Sequence, residues 1–245
     1  MENAIQKPSF REVVRVTTIN LDDVGLVFNT QRVGPMTFNG LRNANYGPRF
    51  RMPTMPELVP LVYASLENKN YDTAKNVIKT LRDSWITGNT GILYVQDGMY
   101  VQDNPNMENG RISMSQKTLE RKLEKHEEKG VVFSEDKTIR FVPYGFKRKS
   151  QGALELSKNT GVIALVGSEE NAERIAKASE HYKIGPYFWV LSNVDSPQTR
   201  VASLGSGGCL GSWRLSVGGA YWGDYYGGCA FGVLKSGAEG TRTEK

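Results

Sequence analysis

Residues Arg49–Asn68 read RFRMPTMPELVPLVYASLEN, and this stretch fixes how the rest of the chain is parsed. Thr54 is followed three residues later by Glu57. That is the spacing of a capping box, in which the threonine hydroxyl takes the N3 amide and the glutamate returns to the cap amide. Pro56 falls in the first turn, where its missing N–H does no harm. Leu58, Leu61, Val62 and Leu66 then lie on one face at helical spacing. Pro60 is discordant, since a proline inside a helix is expected to kink or weaken it. A second helix is predicted over Tyr71–Trp85, with Ala74, Val77, Ile78, Leu81 and Trp85 on one side and Asp72 near its start.

Outside this helical pair the pattern turns to short strands. Upstream, β-branched Glu12–Thr17, a turn at Leu21-Asp22-Asp23 and a second run over Gly25–Asn29 predict a hairpin. Val33–Arg49, rich in Gly, Asn and Pro, reads as a loop. Downstream, Gly91–Asp103 holds two β-prone runs about an Asp-Gly turn. Asn104–Gly110 reads as a polar loop, and a highly charged helix is expected from Ser115 to about Lys129, stopped by Gly130. A hairpin over Val131–Val142 and the basic patch Lys147-Arg148-Lys149 follow. Helix, hairpin and basic patch also outline a winged-helix unit over residues 112–149. Its reading helix carries about as many Glu as Lys and Arg, however, which argues against a phosphate-neutralising face and against a nucleic-acid partner. Gly161–Val166 (GVIALV) reads as a buried strand, Glu169–Tyr182 as a helix capped by Ser168, and Tyr187–Leu191 (YFWVL) as a core strand.

The chain ends in a stretch of different character, Thr199–Leu234. Between Gly205 and Gly232 it holds ten of the 26 glycines, both cysteines, two of the four tryptophans and three tyrosines, but only two charged residues, Arg214 and Asp224. It is too aromatic for a disordered tail and too glycine-rich for plain helices or strands. Long loops pinned to a rigid body are the expectation. Tyr and Trp there supply stiff amphipathic contact area, while Ser and Gly let the backbone adapt. Filling of a β-domain core by the same aromatics is the competing reading.

At 245 residues the chain can bury a sizeable core. No apolar run reaches the roughly 18 residues of a transmembrane helix, so no membrane partner is expected. The first residues lack the apolar core of a signal peptide. Synthesis in a cytoplasm is therefore the expectation, with a virus particle or a host cytoplasm as the settings left open. The net charge of +5 permits anionic partners without arguing for them. Two cysteines do not make a disulfide framework, and Cys209 and Cys229 read as buried thiols. Neither His126 nor His181 has neighbours that form a metal or catalytic constellation, so no cofactor, no metal and no enzymatic activity are expected.

Three segments carry a family resemblance. Arg51-Met52-Pro53-Thr54-Met55-Pro56-Glu57 resembles the R-L-P-T-x-x-E lead-in to the first helix of C-type lectin-fold proteins of the formylglycine-generating-enzyme type. Tyr187-Phe188-Trp189-Val190-Leu191-Ser192 is similar to that fold's "F/Y-W-L-x-S" strand, and Gly228-Cys229-Ala230-Phe231-Gly232-Val233 to its closing strand, without the usual arginine. Within that fold the terminal stretch resembles the variable region of diversity-generating-retroelement target proteins, closest to the archaeal variable proteins. In that family a reverse transcriptase randomises template adenines, so Asn codons scatter to residues such as Gly, Ser, Tyr, Asp, Cys, Leu and Ala. Sixteen asparagines occur up to Asn193 and none after it.

The resemblance implies an α+β C-type lectin fold over one domain, with two helices packed on short antiparallel sheets. Residues 105–150 would be an inserted helix–hairpin segment and 199–234 the variable region. It implies a displayed ligand-binding face at Leu210, Ser212, Ser216, Gly218, Gly219, Ala220, Tyr221, Gly223, Asp224, Tyr225, Tyr226 and Gly227, facing an unidentified protein or surface ligand. Trp213, Leu215, Trp222, Phe231 and Val233 would be framework. The alternatives are a formylglycine-generating-type oxidase using Cys209 and Cys229, and a structural tail or capsid component.

Overall fold

The computed structural model describes residues 17–207 and 213–235. In chain order the first part runs β1 (Thr18–Leu21), β2 (Leu26–Met36), α1 (Phe38–Arg42), α2 (Met55–Glu67), α3 (Asp72–Asp83), β3 (Trp85–Tyr94), β4 (Gly98–Asp103), β5 (Asn106–Glu108) and β6 (Arg111–Ser113). A middle part follows with α4 (Gln116–Lys122), β7 (Leu123–Glu128), β8 (Val131–Ser134), β9 (Ile139–Pro143), β10 (Lys149–Ser150), α5 (Ala153–Ser157), α6 (Thr160–Val166) and α7 (Glu169–Ser179). The chain closes with β11 (Tyr187–Trp189), β12 (Gln198–Gly205), β13 (Ser216–Tyr221) and β14 (Gly228–Lys235). The α+β class holds. The simple picture of two helices on short sheets does not: seven helices among the described residues accompany one 12-stranded sheet and a separate β5–β6 hairpin.

The sheet branches at β3. One edge of β3 pairs with β12 from Tyr94 back to Ile86. On the other edge, Trp85 and Ile86 pair with β14 in parallel, whereas Thr90–Tyr94 pair with β4. Between the two partners the start of α2 is inserted. Asn89 donates its N–H to the Pro53 carbonyl at 2.7 Å, and Met55 donates its N–H to the Thr90 hydroxyl at 2.9 Å. Gly88 permits the approach, because a Cβ there would lie 2.8 Å from the Met55 nitrogen. Arg51 forms a bridge to Val233 of β14, so the lead-in touches both branches.

The helix start itself follows the sequence. Glu57 closes the capping box, accepting from the Thr54 N–H at 2.8 Å and from its hydroxyl at 3.1 Å. Arg51 grips the same carboxylate through both terminal nitrogens, at 2.9 and 2.6 Å. Burial pushes the Glu57 carboxyl up, but the bonds from Arg51 and Thr54 outweigh it and hold the group below its ordinary value. Pro60 lies inside α2 without ending it. Below the helix start a buried ion pair joins the strands. Asp103 of β4 takes both terminal nitrogens of Arg140 of β9, at 2.7 and 3.0 Å, and also the Thr90 hydroxyl at 2.6 Å.

Five expectations need correction. Val33–Arg49 is not a loop throughout: β2 continues to Met36, and α1 follows, capped by the Thr37 hydroxyl. The second helix ends at Asp83, and Trp85 opens β3 instead. The polar loop at 104–110 contains β5, the first strand of the small hairpin. The charged helix from Ser115 stops at Lys122, where the chain becomes the edge strand β7 paired with β8. Charged side chains suit that place, because they discourage further pairing at an exposed sheet edge. This also removes the winged-helix outline, whose long reading helix is absent. Last, GVIALV is the buried helix α6. Asn159 caps it by accepting from the Gly161 and Val162 amides, and Gly167 ends it at φ +88°. The hairpins at 91–103 and 131–142 and the Ser168-capped α7 form as expected, while the predicted strand at Glu12–Thr17 begins outside the described residues.

Helices α2, α3, α5, α6 and α7 pack together, and Leu58, Leu61, Val62, Val77, Leu81, Val162, Leu165 and Ile175 form one core with Ile86, Phe188, Phe231 and Val233 of the sheet. Within the segment 105–150, β9 extends the main sheet from β4 and carries β8 and β7 with it.

Candidate functional site

The expected long loops of the terminal stretch are mostly strands. β12, β13 and β14 occupy 198–205, 216–221 and 228–235, which leaves 222–227 as the described loop between β13 and β14. Two backbone bonds order its first part. Phe38 at the start of α1 donates its N–H to the Gly223 carbonyl at 2.9 Å, and Tyr225 donates its N–H to the Trp222 carbonyl at 3.2 Å. At the loop's root the Tyr221 ring lies 4.5 Å from the Trp85 ring and 5.8 Å from the Tyr225 ring, centroid to centroid. These tilted stacks fix Tyr221 half-buried between scaffold and loop.

Beyond that root the aromatics face solvent. Trp222, Tyr225 and Tyr226 are 61%, 53% and 69% exposed, and Trp213 is 55% exposed. Large aromatic side chains are more often buried, so this exposed group makes the loop a candidate interaction surface. Trp213 and Trp222 were expected as framework and are not, whereas Leu215, Phe231 and Val233 are fully buried. Trp222 instead lies flat on a cation: the Arg200 guanidinium is 3.4 Å from its ring centroid. Arg82 sits 5.9 Å from Trp213, and Arg214 sits 4.7 Å from Tyr187.

Beside the loop opens a cleft of about 680 Å³. β12 contributes Gln198, Thr199 and Arg200, the β5–β6 hairpin contributes Met107, Arg111 and Ile112, and the loop contributes Trp222, Gly223 and Asp224. Arg200 forms part of its wall while only 4% exposed. It donates to the Thr199 carbonyl at 2.8 Å and to the Gln198 side-chain oxygen at 2.5 Å. Burial pushes its guanidinium below the usual value, opposed by the charge of Asp224 among others.

No family model and no curated protein sequence matches the chain. A solved structure does. It belongs to a protein described as accommodating massive sequence variation in Nanoarchaeota by the C-type lectin fold, 17% identical, covering 91% of this chain and 100% of that one, with a TM-score of 0.52. This chain has the C-type lectin fold. At that identity the likeness extends to the fold alone.

On the C-type lectin fold the twelve expected site residues separate into groups. Leu210 and Ser212 lie outside the described residues, as does Cys209. Asp224, Tyr225 and Tyr226 are exposed, with Gly223 and Gly227 half-buried beside them. Ser216, Ala220 and Tyr221 are half-buried along β13. Gly218 and Gly219 are buried, which corrects their assignment to a displayed face. The Gly219 carbonyl accepts from the buried Tyr94 hydroxyl at 2.8 Å, and a Cβ on Gly219 would lie 2.6 Å from Ile92. Gly219 is thus an interior packing position.

Sequence reading missed Arg200, Gln198 and Arg111. Arg200 had a visible signal, a lone cation ahead of the apolar run Val201-Ala202 in a β-prone segment. Arg111 had none, because no strand was read over 111–113 and the segment before it, 104–110, read as a loop. Among the described residues no group of three or more His, Cys, Asp and Glu gathers to hold a metal, and no helix is long and apolar enough to cross a membrane.

Proposed function

We propose that this protein is a non-enzymatic binder that presents the 222–227 loop and its neighbours as a ligand-contacting face, diversified by a retroelement. The observation that carries the reading is the contrast within one loop: a backbone tied to α1 at Gly223 and closed into a turn at Tyr225, yet three large aromatics more than half exposed. Rigid Tyr and Trp side chains lose little entropy on contact and serve as anchors in protein interfaces. A fixed backbone with free side chains also lets those side chains change without unfolding the body. The run of 52 residues without asparagine after Asn193 supports diversification.

The oxidase reading is disfavoured by Cys229, which is fully buried in β14 and out of reach of a client peptide. A structural tail or capsid role would use the same aromatics for contacts between copies.

Two measurements test the proposal. Sequencing around the gene should find a near-identical repeat, differing at adenines, beside a reverse-transcriptase gene; finding neither would remove diversification. Panning a random peptide library should enrich peptides that bind the wild-type protein and lose binding to a Tyr225→Ser/Tyr226→Ser variant. Equal binding to that variant would remove the loop as the contact face, and self-assembly abolished by the same changes would favour the structural role.

A further inference from the structure

The cleft beside the loop has a chemistry of its own. Its wall holds a cation that burial isolates: Arg200 has no ion-pair partner among the described residues, and its Nε finds no acceptor. The Thr199 and Gln198 oxygens take two of the five N–H groups a guanidinium carries. A buried charge without a counter-charge is costly unless something anionic completes it. Asp224 lines the same cleft and its charge is felt at Arg200, but it makes no ion pair with it. Arg111 adds a second cation at the exposed rim. Phe38, Met107, Ile112 and Trp222 supply apolar wall, and Gln198 and Thr199 supply hydrogen-bonding groups. The volume lies within the range of small-molecule sites.

We propose that this cleft binds a carboxylate carried on an apolar or aromatic body, with Arg200 as the fixed anion anchor and residue 224 setting the affinity. A guanidinium held flat by an aromatic ring is pre-organised for a carboxylate, which it grips through parallel N–H bonds. The Trp222 stack and the bonds to Thr199 and Gln198 hold Arg200 so that little order remains to be gained on binding. Asp224 stands where it competes with an incoming anion. Because residue 224 belongs to the exposed loop, its identity tunes a charge the scaffold supplies. This site is independent of the retroelement reading, and Tyr225 and Tyr226 do not line it.

The ligand is either a free small acid or the chain terminus of a partner protein, and the test separates them. Phenylacetate and the free-acid peptide Gly-Gly-Phe are titrated by ligand-observed NMR, with phenylacetamide and the C-terminally amidated peptide as controls. The acids are expected to bind and the amides to fail, with binding weakening as salt rises. Phenylacetate alone binding assigns a free acid, and the peptide binding at least as well assigns a chain terminus. Arg200→Gln is expected to lower affinity about tenfold or more and Arg111→Gln by a smaller factor. Asp224→Asn, an exposed change that leaves the fold alone, is expected to tighten acid binding about threefold. Tyr225→Ser/Tyr226→Ser is expected to leave it unchanged, so loss of peptide-library binding by that pair does not bear on the cleft. Acids and amides binding alike, neither acid binding, or an Asp224→Asn variant that binds acids no better than wild type would each overturn the proposal.

Discussion

The lead-in to α2 and the 222–227 loop are both short and irregular, the first pinned to the sheet and the second to the start of α1, and they differ in where their side chains go. At the lead-in the side-chain anchors are polar and reciprocated, from the exposed Arg51 inward: Glu57 with Arg51 and Thr54, Met55 with Thr90, Thr90 with Asp103, Asp103 with the buried Arg140. At the loop the anchors are a backbone bond from Phe38 and the one-sided stacks of Trp222 on Arg200 and Tyr225 on Tyr221, and all three aromatics remain more than half exposed. Substitution is therefore expected to cost more at the first than at the second. On the proposed reading, the sequence requirements of the fold concentrate at the branch point of the sheet, and the loop between β13 and β14 is the part that can change.

The sharpest way to break the comparison is at the bottom of the lead-in network. Asp103→Ala strands Arg140, whose side chain is only 1% exposed, as an unpaired buried cation. Removal of one partner from a buried pair costs about 3–5 kcal/mol. The Thr90 hydroxyl loses its acceptor as well, which loosens the seat of the Met55 amide. Chemical denaturation should show the loss as a lower midpoint with the slope largely kept. A loss under about 1 kcal/mol, the scale of an exposed pair, would mean the branch point does not hold the sheet together.

A smaller effect is expected from acid. The Glu57 carboxyl is held below its ordinary value in the fold, because the hydrogen bonds from Arg51 and Thr54 outweigh the opposing effect of burial. A depressed carboxylate contributes stability that is fully present above its unfolded value, near pH 4.3, and is lost as pH falls through the lower folded value. Wild type should therefore lose stability on acidification below about pH 4 faster than Glu57→Gln, which cannot titrate there. At neutral pH that variant should be the less stable by about 1 kcal/mol, the scale of a lost helix cap. Parallel acid limbs for the two proteins would show that this carboxylate does not couple folding to protons.

What the sequence made legible follows the same division. The capping box, the two helices after it and the hairpins at 91–103 and 131–142 were readable because each rests on local chemistry: a cap, a period, a turn. The C-type lectin fold was readable from three motifs, all of which lie against the central sheet. GVIALV was misread because a six-residue apolar run has no period to distinguish strand from helix. The deciding signals were its caps, Asn159 and Gly167. The strand β7 was hidden because pairing with β8 overrode the helix propensity of its charged residues. At the candidate site, composition identified the loop but not burial. It could not tell that Gly219 sits under the Tyr94 hydroxyl while Trp222 stands in solvent, because long-range partners decide both.

The smallest effect is the one the comparison most depends on. Asp224→Ser, Tyr225→Ser and Tyr226→Ser made together should change stability by only about 0.5 kcal/mol per site, the range of surface substitutions without a buried partner. Asp224 makes no ion pair among the described residues, and Tyr226 is the most exposed aromatic of the loop. Tyr225 loses its stack on Tyr221, so it should account for most of any change. Gly219→Val, two residues before Tyr221 in the same terminal stretch, is the control. Its side chain meets Ile92 and the Tyr94 hydroxyl, and overpacking a filled interior costs about 1–3 kcal/mol. Thermal melts of the two variants side by side then separate position from composition. If the triple variant melts with Gly219→Val rather than with wild type, the loop side chains support the fold, and a face built to vary is not what this stretch provides.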